Sequence, residues 1–246
     1  MAGNRLDQAL VERGLCESRE KARRAIMAGQ VIINHQPARK PSDRVTPQDN
    51  LELTAVEKYV SRGGLKLEHA LEHFHLDVAG QTVADLGAST GGFTDCLLQH
   101  GAAKVFAVDV GHGQLAWKLR NDPRVAVMEK TNARDLTLAR FPAPMDLVVI
   151  DCSFISLSRI LPVAVALLRA SGRIVALIKP QFEAGKAEAD KGKGVITDPA
   201  IHARVLREIE DFVGAQAGLA WLGTTASPLL GPAGNREFFA LIEKTG

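Results

Sequence analysis

The spacing of hydrophobic residues divides the chain into two parts. Over residues 1–54, apolar residues recur at helical spacing in two short stretches and then occupy short β-like runs. Beyond residue 64, short apolar runs alternate with amphipathic stretches. We therefore expect a small α+β domain over 1–54, a linker over 55–63 and a larger α/β domain over 64–246.

The small domain is predicted to begin with two helices. Leu6 and Leu10 share one face of the first helix, and Ser18 is placed to cap the second. Short strands are expected at 31–33 and 51–53, where apolar residues suited to strands occur.

Five apolar runs in the larger domain have the length of buried strands, and helical stretches separate them. The runs lie at 83–86, 104–108, 125–128, 146–150 and 174–178. Two more strands are expected at 219–227 and 237–242, joined as a hairpin-like pair. Alternation of strands and helices is typical of a doubly wound fold, so we expect a mostly parallel, Rossmann-like sheet.

Composition and charge are ordinary for a globular protein. Hydrophobic residues make up 46% of the 246 residues, charged residues make up 24%, and the formal net charge is +2. This balance neither requires nor excludes a nucleic-acid partner, because any basic surface must be local. Residues 1–54 hold nine Lys/Arg and seven Asp/Glu, and four of those basic residues lie on the predicted second helix.

Several classes of protein are not expected. The first residues lack an apolar signal region, and no apolar run approaches the ~18 residues that span a bilayer. Cys16, Cys96 and Cys152 are far apart and form no metal-binding pair. We expect a cytoplasmic protein with reduced cysteines, no bound metal and no membrane partner.

A glycine-rich turn within 83–93 is the first candidate for a ligand site. A short strand leads into Gly87, Gly91 and Gly92, and a helix follows. Such a turn brings backbone N–H groups and the positive end of a helix dipole close to a ligand. The spacing differs from the dinucleotide and phosphate-loop patterns. Residues 111–116 do match the dinucleotide pattern, but they follow the second strand of the domain rather than the first.

Three charged residues stand where other predicted strands end. Asp109 and Asp151 follow the second and fourth strands, and Lys179 follows the fifth. Ligands of doubly wound sheets bind outside the carboxyl ends of the strands, so these side chains should face one crevice with Gly87. Asp109 could bind the vicinal hydroxyls of a ribose, or it could be a helix N-cap or a turn residue. Lys179 and Asp151 could be catalytic or form a structural ion pair.

The glycine-rich turn carries a recognisable motif. Asp85-Leu-Gly-Ala-Ser-Thr-Gly-Gly-Phe93 resembles the first motif of S-adenosylmethionine-dependent methyltransferases, particularly those that methylate ribose 2′-hydroxyls of RNA. Such an enzyme must align the hydroxyl oxygen with the donor methyl group and remove the hydroxyl proton. A lysine can be the base where burial or a second cation favours its neutral form. Lys179 is the candidate base, with Lys66 as the second cation.

Five segments together resemble the TlyA family, whose members are also named haemolysins. They are Ser61-Arg-Gly-Gly-Leu-Lys-Leu67, the motif over 85–93, Asp151-Cys-Ser-Phe-Ile-Ser156, Lys179-Pro-Gln-Phe-Glu183 and Gly234-Asn-Arg-Glu-Phe-Phe239. The resemblance implies the Lys-Asp-Lys-Glu tetrad of FtsJ-type 2′-O-methyltransferases, here Lys66, Asp151, Lys179 and Glu237. It also implies S-adenosyl-L-methionine as the cofactor and a cytidine of ribosomal RNA as the substrate.

The same resemblance indicates which residues bind the cofactor. They lie in the first motif, after the second strand and after the third: Asp85, Gly87, Ser89, Gly91, Gly92, Phe93, Asp109 and Asn132. Asn132 is chosen among several polar residues that follow the third strand.

The N-terminal residues resemble the small RNA-binding domain first known from ribosomal protein S4. The resemblance rests on Arg5-Leu-Asp7, on Ser18-Arg19 and on Gly29-x-Val-x-Ile-Asn34, and it covers the predicted small domain. In that domain the second helix and the following turn lie against RNA phosphates. The side chains expected to contact RNA are Arg5, Arg19, Arg23, Arg24 and Lys40. Shorter members of the TlyA family tend to modify only large-subunit RNA, which is the target we expect.

Three functions other than methyl transfer are alternatives. A non-catalytic RNA-binding protein could serve in ribosome assembly, but the intact tetrad disfavours it. A membrane-damaging haemolysin would need a signal or membrane-spanning segment. A pseudouridine synthase can carry the same N-terminal domain, but its aspartate nucleophile lies in a β-rich domain. Binding of the methyl donor separates the methyltransferase from all three.

Overall fold

The computed structural model describes residues 3–53, 58–185, 188, 190 and 192–245. Contacts within the chain divide it into two units, Met1–Glu57 and Lys58–Gly246. Residues 55–57 of the predicted linker lie outside the described residues, whereas residues 58–63 belong to the second unit. Parts of the charged segment 183–194, at 186, 187, 189 and 191, also lie outside the described residues.

The first unit contains two helices and five short strands among its described residues. Its elements are β1 (Asn4–Arg5), α1 (Leu6–Glu12), α2 (Arg19–Met27), β2 (Val31–Ile33), β3 (Gln36–Pro37), β4 (Arg44–Val45) and β5 (Leu51–Leu53). Strand β1 pairs with β4, and β2 lies between β3 and β5. Leu6, Leu10 and Ile26 form part of its core, and the Ser18 hydroxyl accepts a hydrogen bond from the Lys21 amide. The helices and the strands at 31–33 and 51–53 were predicted; the two-residue strands are too short to leave a pattern.

The second unit begins with a helix and then alternates strands with helices. Its elements are α3 (Gly63–His73), β6 (Thr82–Leu86), α4 (Gly92–Gln99), β7 (Lys104–Val108), α5 (Trp117–Arg120), β8 (Val125–Met128), β9 (Met145–Ile150), α6 (Leu157–Leu167), β10 (Leu168–Ile178), α7 (Pro180–Glu183), α8 (Pro199–Gly214), β11 (Leu219–Ala226) and β12 (Phe238–Lys244).

A seven-stranded sheet organises this unit, with the order β11-β12-β10-β9-β6-β7-β8. Strands β8, β7, β6, β9 and β10 are parallel, and β12 runs antiparallel to both β10 and β11. The predicted mostly parallel, doubly wound sheet is therefore confirmed. The chain moves outward from β6 to β8 and then returns to β9, so the order reverses between β6 and β9. A ligand crevice is expected at such a reversal.

Both faces of the sheet are covered, which explains why its strands appear in the sequence as continuous apolar runs. In β9, Val148 and Ile150 pack in a cluster that includes residues of α6 and α8. Leu147 and Val149 point to the opposite face and pack with residues of α3 and α4. The side chains of β9 therefore alternate between the two faces of the sheet. The sequence shows no such alternation because the residues on both faces are apolar.

Strand β10 begins earlier than its apolar run indicates. It starts at Leu168, and its pairing with β9 is irregular between Leu168 and Arg173. The polar residues of that stretch conceal the start of the strand. Among the described helices, none combines the length and apolar character needed to cross a bilayer.

Candidate active site

Four residues predicted to share a crevice follow four neighbouring strands. Gly87, Asp109, Asp151 and Lys179 come directly after β6, β7, β9 and β10. These strands are parallel and adjacent, so their carboxyl ends meet at one edge of the sheet. A cavity of about 1060 Å³ opens at this edge. Its wall includes five of the predicted site residues, namely Gly87, Ser89, Asp109, Asn132 and Asp151.

The turn after β6 depends on the absence of side chains at two positions. Gly87 has a φ of 92°, and a Cβ there would lie 2.6 Å from the carbonyl oxygen of Asp151. Gly91 has a φ of 96° and precedes the first residue of α4. Glycine adopts these positive φ values without the steric cost that other residues meet. The turn can therefore pass close to the loop after β9.

Asp109 ties the glycine-rich turn to the loop after β7. Its Oδ2 accepts a hydrogen bond of 2.8 Å from the Ser89 amide, and its Oδ1 accepts one of 2.6 Å from the Gly111 amide. Each carboxylate oxygen can accept a further hydrogen bond. Asp109 therefore stabilises a turn and still presents acceptors to the cavity, so the two predicted interpretations of this residue are compatible.

Asp85 lies beneath the turn rather than in the cavity wall. It is fully buried, and its Oδ2 accepts a hydrogen bond of 2.6 Å from the Thr94 hydroxyl. Its Oδ1 has no hydrogen-bond partner among the described residues. Burial raises the pKa of Asp85 to about 7, the Thr94 hydroxyl opposes that rise, and Asp151 and Asp109 add to it. The carboxylates that this edge of the sheet presents to the cavity are therefore those of Asp109 and Asp151.

Three further residues assigned to the cofactor do not line the cavity. Gly91 and Gly92 form the start of α4. Phe93 is only 3% exposed, and its ring centroid lies 6.1 Å from that of Phe239 in the core. The structure places these residues in the support of the turn, where they shape the cavity indirectly.

The four tetrad residues form two lysine–carboxylate pairs. Lys179 Nζ lies 2.5 Å from Asp151 Oδ1 and donates a hydrogen bond of 3.0 Å to the Ser153 hydroxyl. Lys66 Nζ lies 2.6 Å from Glu237 Oε2. Both lysines are 8% exposed, and Glu237 is 1% exposed. The Asp151 side chain is 25% exposed and lies in the cavity wall. The first pair therefore reaches the cavity through Asp151, whereas Lys179 and both members of the second pair lie outside its wall.

An exposed aromatic residue beside this site was not predicted. Phe154 is 90% exposed and has a φ of 63°, which is an unusual conformation for a bulky residue. Its ring lies 4.9 Å from that of Phe182, and Lys179 Nζ lies 6.0 Å from the Phe182 ring. Both aromatic residues line the cavity. The sequence places Phe154 between Asp151 and Ser156, but it carries no signal that the ring is exposed.

Two arginines of the cavity wall were also missed. Arg134 and Arg159 are exposed and line the cavity. They lie outside the motifs that identified the other candidates. Only the fold brings them to the same opening as Asp151.

In the first unit, the predicted RNA-binding arginines have different partners. Arg5 and Arg19 both bind the buried carboxylate of Asp7, at 3.0 and 3.1 Å. The Arg5 guanidinium, assisted by that of Arg19, lowers the pKa of Asp7 to about 2. Arg24 pairs with Glu20 on the surface of α2. Arg23 and Lys40, the other two candidates, are exposed.

Two family models match the chain and together span most of it. The FtsJ-like methyltransferase model matches residues 59–244, and the S4 domain model matches residues 4–51. The chain belongs to the FtsJ-like methyltransferase family. The FtsJ-like region contains the whole tetrad and the cavity, and the S4 region contains α1, α2 and the strands β1 to β4.

Individual relatives place this FtsJ-like methyltransferase beside TlyA. The chain is 49% identical over 239 residues to the 16S/23S rRNA (cytidine-2′-O)-methyltransferase TlyA of Mycobacterium tuberculosis, covering 96% of this chain and 88% of the relative. It is 34% identical over 250 residues to the 23S rRNA (cytidine-2′-O)-methyltransferase TlyA of Campylobacter jejuni, covering 93% and 95%. A solved structure described as a hemolysin from Streptococcus thermophilus has 44% identity and a TM-score of 0.75, covering 100% of this chain and 90% of that one. The predicted membership of the TlyA family is confirmed.

Proposed function

We propose that the protein transfers a methyl group from S-adenosyl-L-methionine to the 2′-hydroxyl of a cytidine in ribosomal RNA. The observation that carries this proposal is the Lys179–Asp151 pair at the edge of the cavity, beside the glycine-rich turn. The relatives from M. tuberculosis and C. jejuni are named for this reaction. Such a substrate implies a cytoplasmic location at the ribosome.

The charges and shape of the cavity fit this cofactor. Bound there, S-adenosyl-L-methionine would supply an electrophilic methyl group on a positively charged sulfur. The carboxylates of Asp109 and Asp151 line the cavity and favour a cation there. Asp109 can accept hydrogen bonds from ribose hydroxyls, and Asn132 lies in the adjoining wall. Gly87 lines the cavity, and the absence of a side chain there lets the turn pass close to the loop after β9.

Lys179 is the group best placed to remove the hydroxyl proton. In its neutral form, its amine would accept the proton of the 2′-hydroxyl while the hydroxyl oxygen forms its bond to the methyl carbon. Asp151 and Ser153 hold that amine in place and would stabilise it once it is protonated. Lys66 and Glu237 are enclosed together, so we assign them a supporting role. Alignment of the two reactants should supply much of the rate acceleration.

The RNA would be held by groups of both units. Arg23 and Lys40 expose cations suited to phosphates on the S4 domain, and Arg134 and Arg159 do so at the cavity. Phe154 offers an exposed aromatic face on which an unstacked base can lie. We assign these groups to substrate binding rather than to the chemical step.

The proposal is tested by incubating the protein with labelled methyl donor and separated ribosomal subunits that lack the modification. We expect label in RNA of at least one subunit, at a nucleotide resistant to alkaline cleavage. Because the relatives differ in whether their names specify one subunit or both, the two subunits are assayed separately. If no label enters either subunit, the intact ribosome or free RNA, a non-catalytic RNA-binding function replaces this proposal.

A further inference from the structure

The loops that follow β9 and β10 are joined by one carboxylate. Glu183, the last residue of α7, accepts a hydrogen bond of 2.7 Å from the Ser156 hydroxyl at Oε2. At Oε1 it accepts a second bond of 2.8 Å from the Leu157 amide. Ser156 and Leu157 are the N-cap and first residue of α6. One side chain of α7 therefore holds the far end of the loop 151–156.

The near end of that loop is held by Lys179. Its amine binds Asp151 and Ser153, and the next residue begins α7. The loop is therefore tied to the 179–183 segment at both of its ends. Phe154 lies between the two attachment points.

Phe154 needs such support because of its backbone. A φ of 63° is costly for a phenylalanine and persists only where the surroundings impose it. With its side chain 90% exposed, Phe154 gains little from burial. Its ring packs beside that of Phe182, which precedes Glu183 in the chain.

We propose that Glu183 is a positioning residue that fixes the loop 151–156 and thereby the RNA-facing side of the active site. Glu183 acts through Phe154 and does not touch the reacting atoms. The proposal rests on the proposed methyl transfer to RNA. It differs from a simple helix cap, which would affect the stability of α6 without a specific effect on RNA binding.

The first arm of the test needs no activity. Backbone amide exchange is measured residue by residue in the full-length protein and in Glu183→Ala. Loss of the acceptor should increase the exchange rate at Leu157 by about tenfold or more. Glu210→Ala, which removes an exposed carboxylate of α8, is the matched control and should leave Leu157 unchanged. Unaltered exchange at Leu157 in Glu183→Ala overturns the proposal.

The second arm measures methyl transfer to ribosomal RNA. Glu183→Ala should raise KM for RNA by about tenfold, with the Kd of the methyl donor within about twofold of wild type. In a Phe154→Ala background the same change should have little further effect on KM, because both substitutions disable the same contact. Glu183→Gln keeps one acceptor oxygen and should restore part of the loss.

Other outcomes of the second arm contradict the proposal. Equal effects of Glu183→Ala with and without Phe154 would show that the two residues act independently. A fall in donor binding and kcat that follows the loss of thermal stability would reduce Glu183 to a helix cap. If the wild-type protein transfers no methyl group, the proposed function fails and so does the role of Glu183 in it, whereas the exchange result still decides whether the loop is held.

Discussion

Among its described residues, the second unit contains two buried lysines, each bonded to a carboxylate, and the surroundings of the two pairs differ. Lys179 pairs with Asp151, which lies in the cavity wall and is a quarter exposed. Lys66 pairs with Glu237, which is 1% exposed. The two lysines themselves are equally buried. The candidate base and the lysine with a supporting role therefore differ in the exposure of their partner carboxylates, and not in how deeply the lysines are buried.

The largest expected effect is on catalysis, and it should distinguish the two lysines. Lys179→Met should lower the rate of methyl transfer by about 10²–10⁴-fold, the range typical of a lost general base. Stability should change little, because Asp151 retains access to water. The measurement is the single-turnover rate with saturating donor and RNA. Lys66→Met is the matched control, and an equal effect on the chemical step in both variants would remove the distinction.

The reverse ranking is expected for stability. Lys66→Met leaves the carboxylate of Glu237 buried without its partner, which should cost about 3–5 kcal/mol in the free energy of unfolding. Lys66→Met combined with Glu237→Leu should recover part of that loss, because an apolar pair of similar size needs no charge partner. Chemical denaturation of the three proteins provides the comparison. If Lys66→Met is as stable as wild type, the burial of the Glu237 carboxylate does not depend on Lys66.

A substitution in the glycine-rich turn tests the close approach of this turn to Asp151, the partner of Lys179. Gly87→Ala introduces a Cβ only 2.6 Å from the Asp151 carbonyl, at a φ that alanine disfavours. We expect a loss of about 1–3 kcal/mol in stability and weaker donor binding. Calorimetric titration with the donor measures the second effect. Gly80→Ala is the matched control, since Gly80 also has a positive φ but no atom would lie within 4 Å of its Cβ. Equal donor affinity in both variants would contradict the account of this turn.

The last expected effect concerns the buried carboxyl group of Asp85, which lies beneath the glycine-rich turn. The pKa of Asp85 is raised to about 7, so the folded protein retains a proton that the unfolded chain has already released near pH 4. The free energy of unfolding should therefore decrease as pH rises from about 4 to 7 and then level off. Asp85→Asn should remove this decrease and raise the midpoint of thermal unfolding at pH 8 by several degrees. Parallel pH profiles for the two donor-free proteins would contradict the assignment.

Much of the candidate site could be predicted because its residues stand where strands end. Apolar runs located β6, β7, β9 and β10, and the residues after them meet wherever such strands are parallel neighbours. The motifs then added Lys66 and Glu237. What the sequence could not reveal is which carboxylate remains open to the cavity, since burial depends on packing between segments 171 residues apart.

A second limit of prediction from sequence concerns exposure and contacts that arise only in the folded chain. Phe154 lies within a recognised motif, but aromatic residues are more often buried, and its positive φ is a property of the folded loop. Arg5 and Arg19 are expected to contact RNA because their segment resembles the S4 domain. Their shared bond to the buried Asp7 appears only when α1 and α2 pack together.

The most direct test of the account is the pH dependence of the single-turnover methyl transfer rate, with the product identified as 2′-O-methylcytidine by nucleoside mass spectrometry. Wild type is compared with Lys179→Arg and Lys66→Arg, since arginine keeps the charge but cannot act as a base at these pH values. The rate should rise with pH in wild type and in Lys66→Arg, and it should be low and independent of pH in Lys179→Arg. A wild-type rate and profile in Lys179→Arg would contradict the assignment of Lys179 as the base.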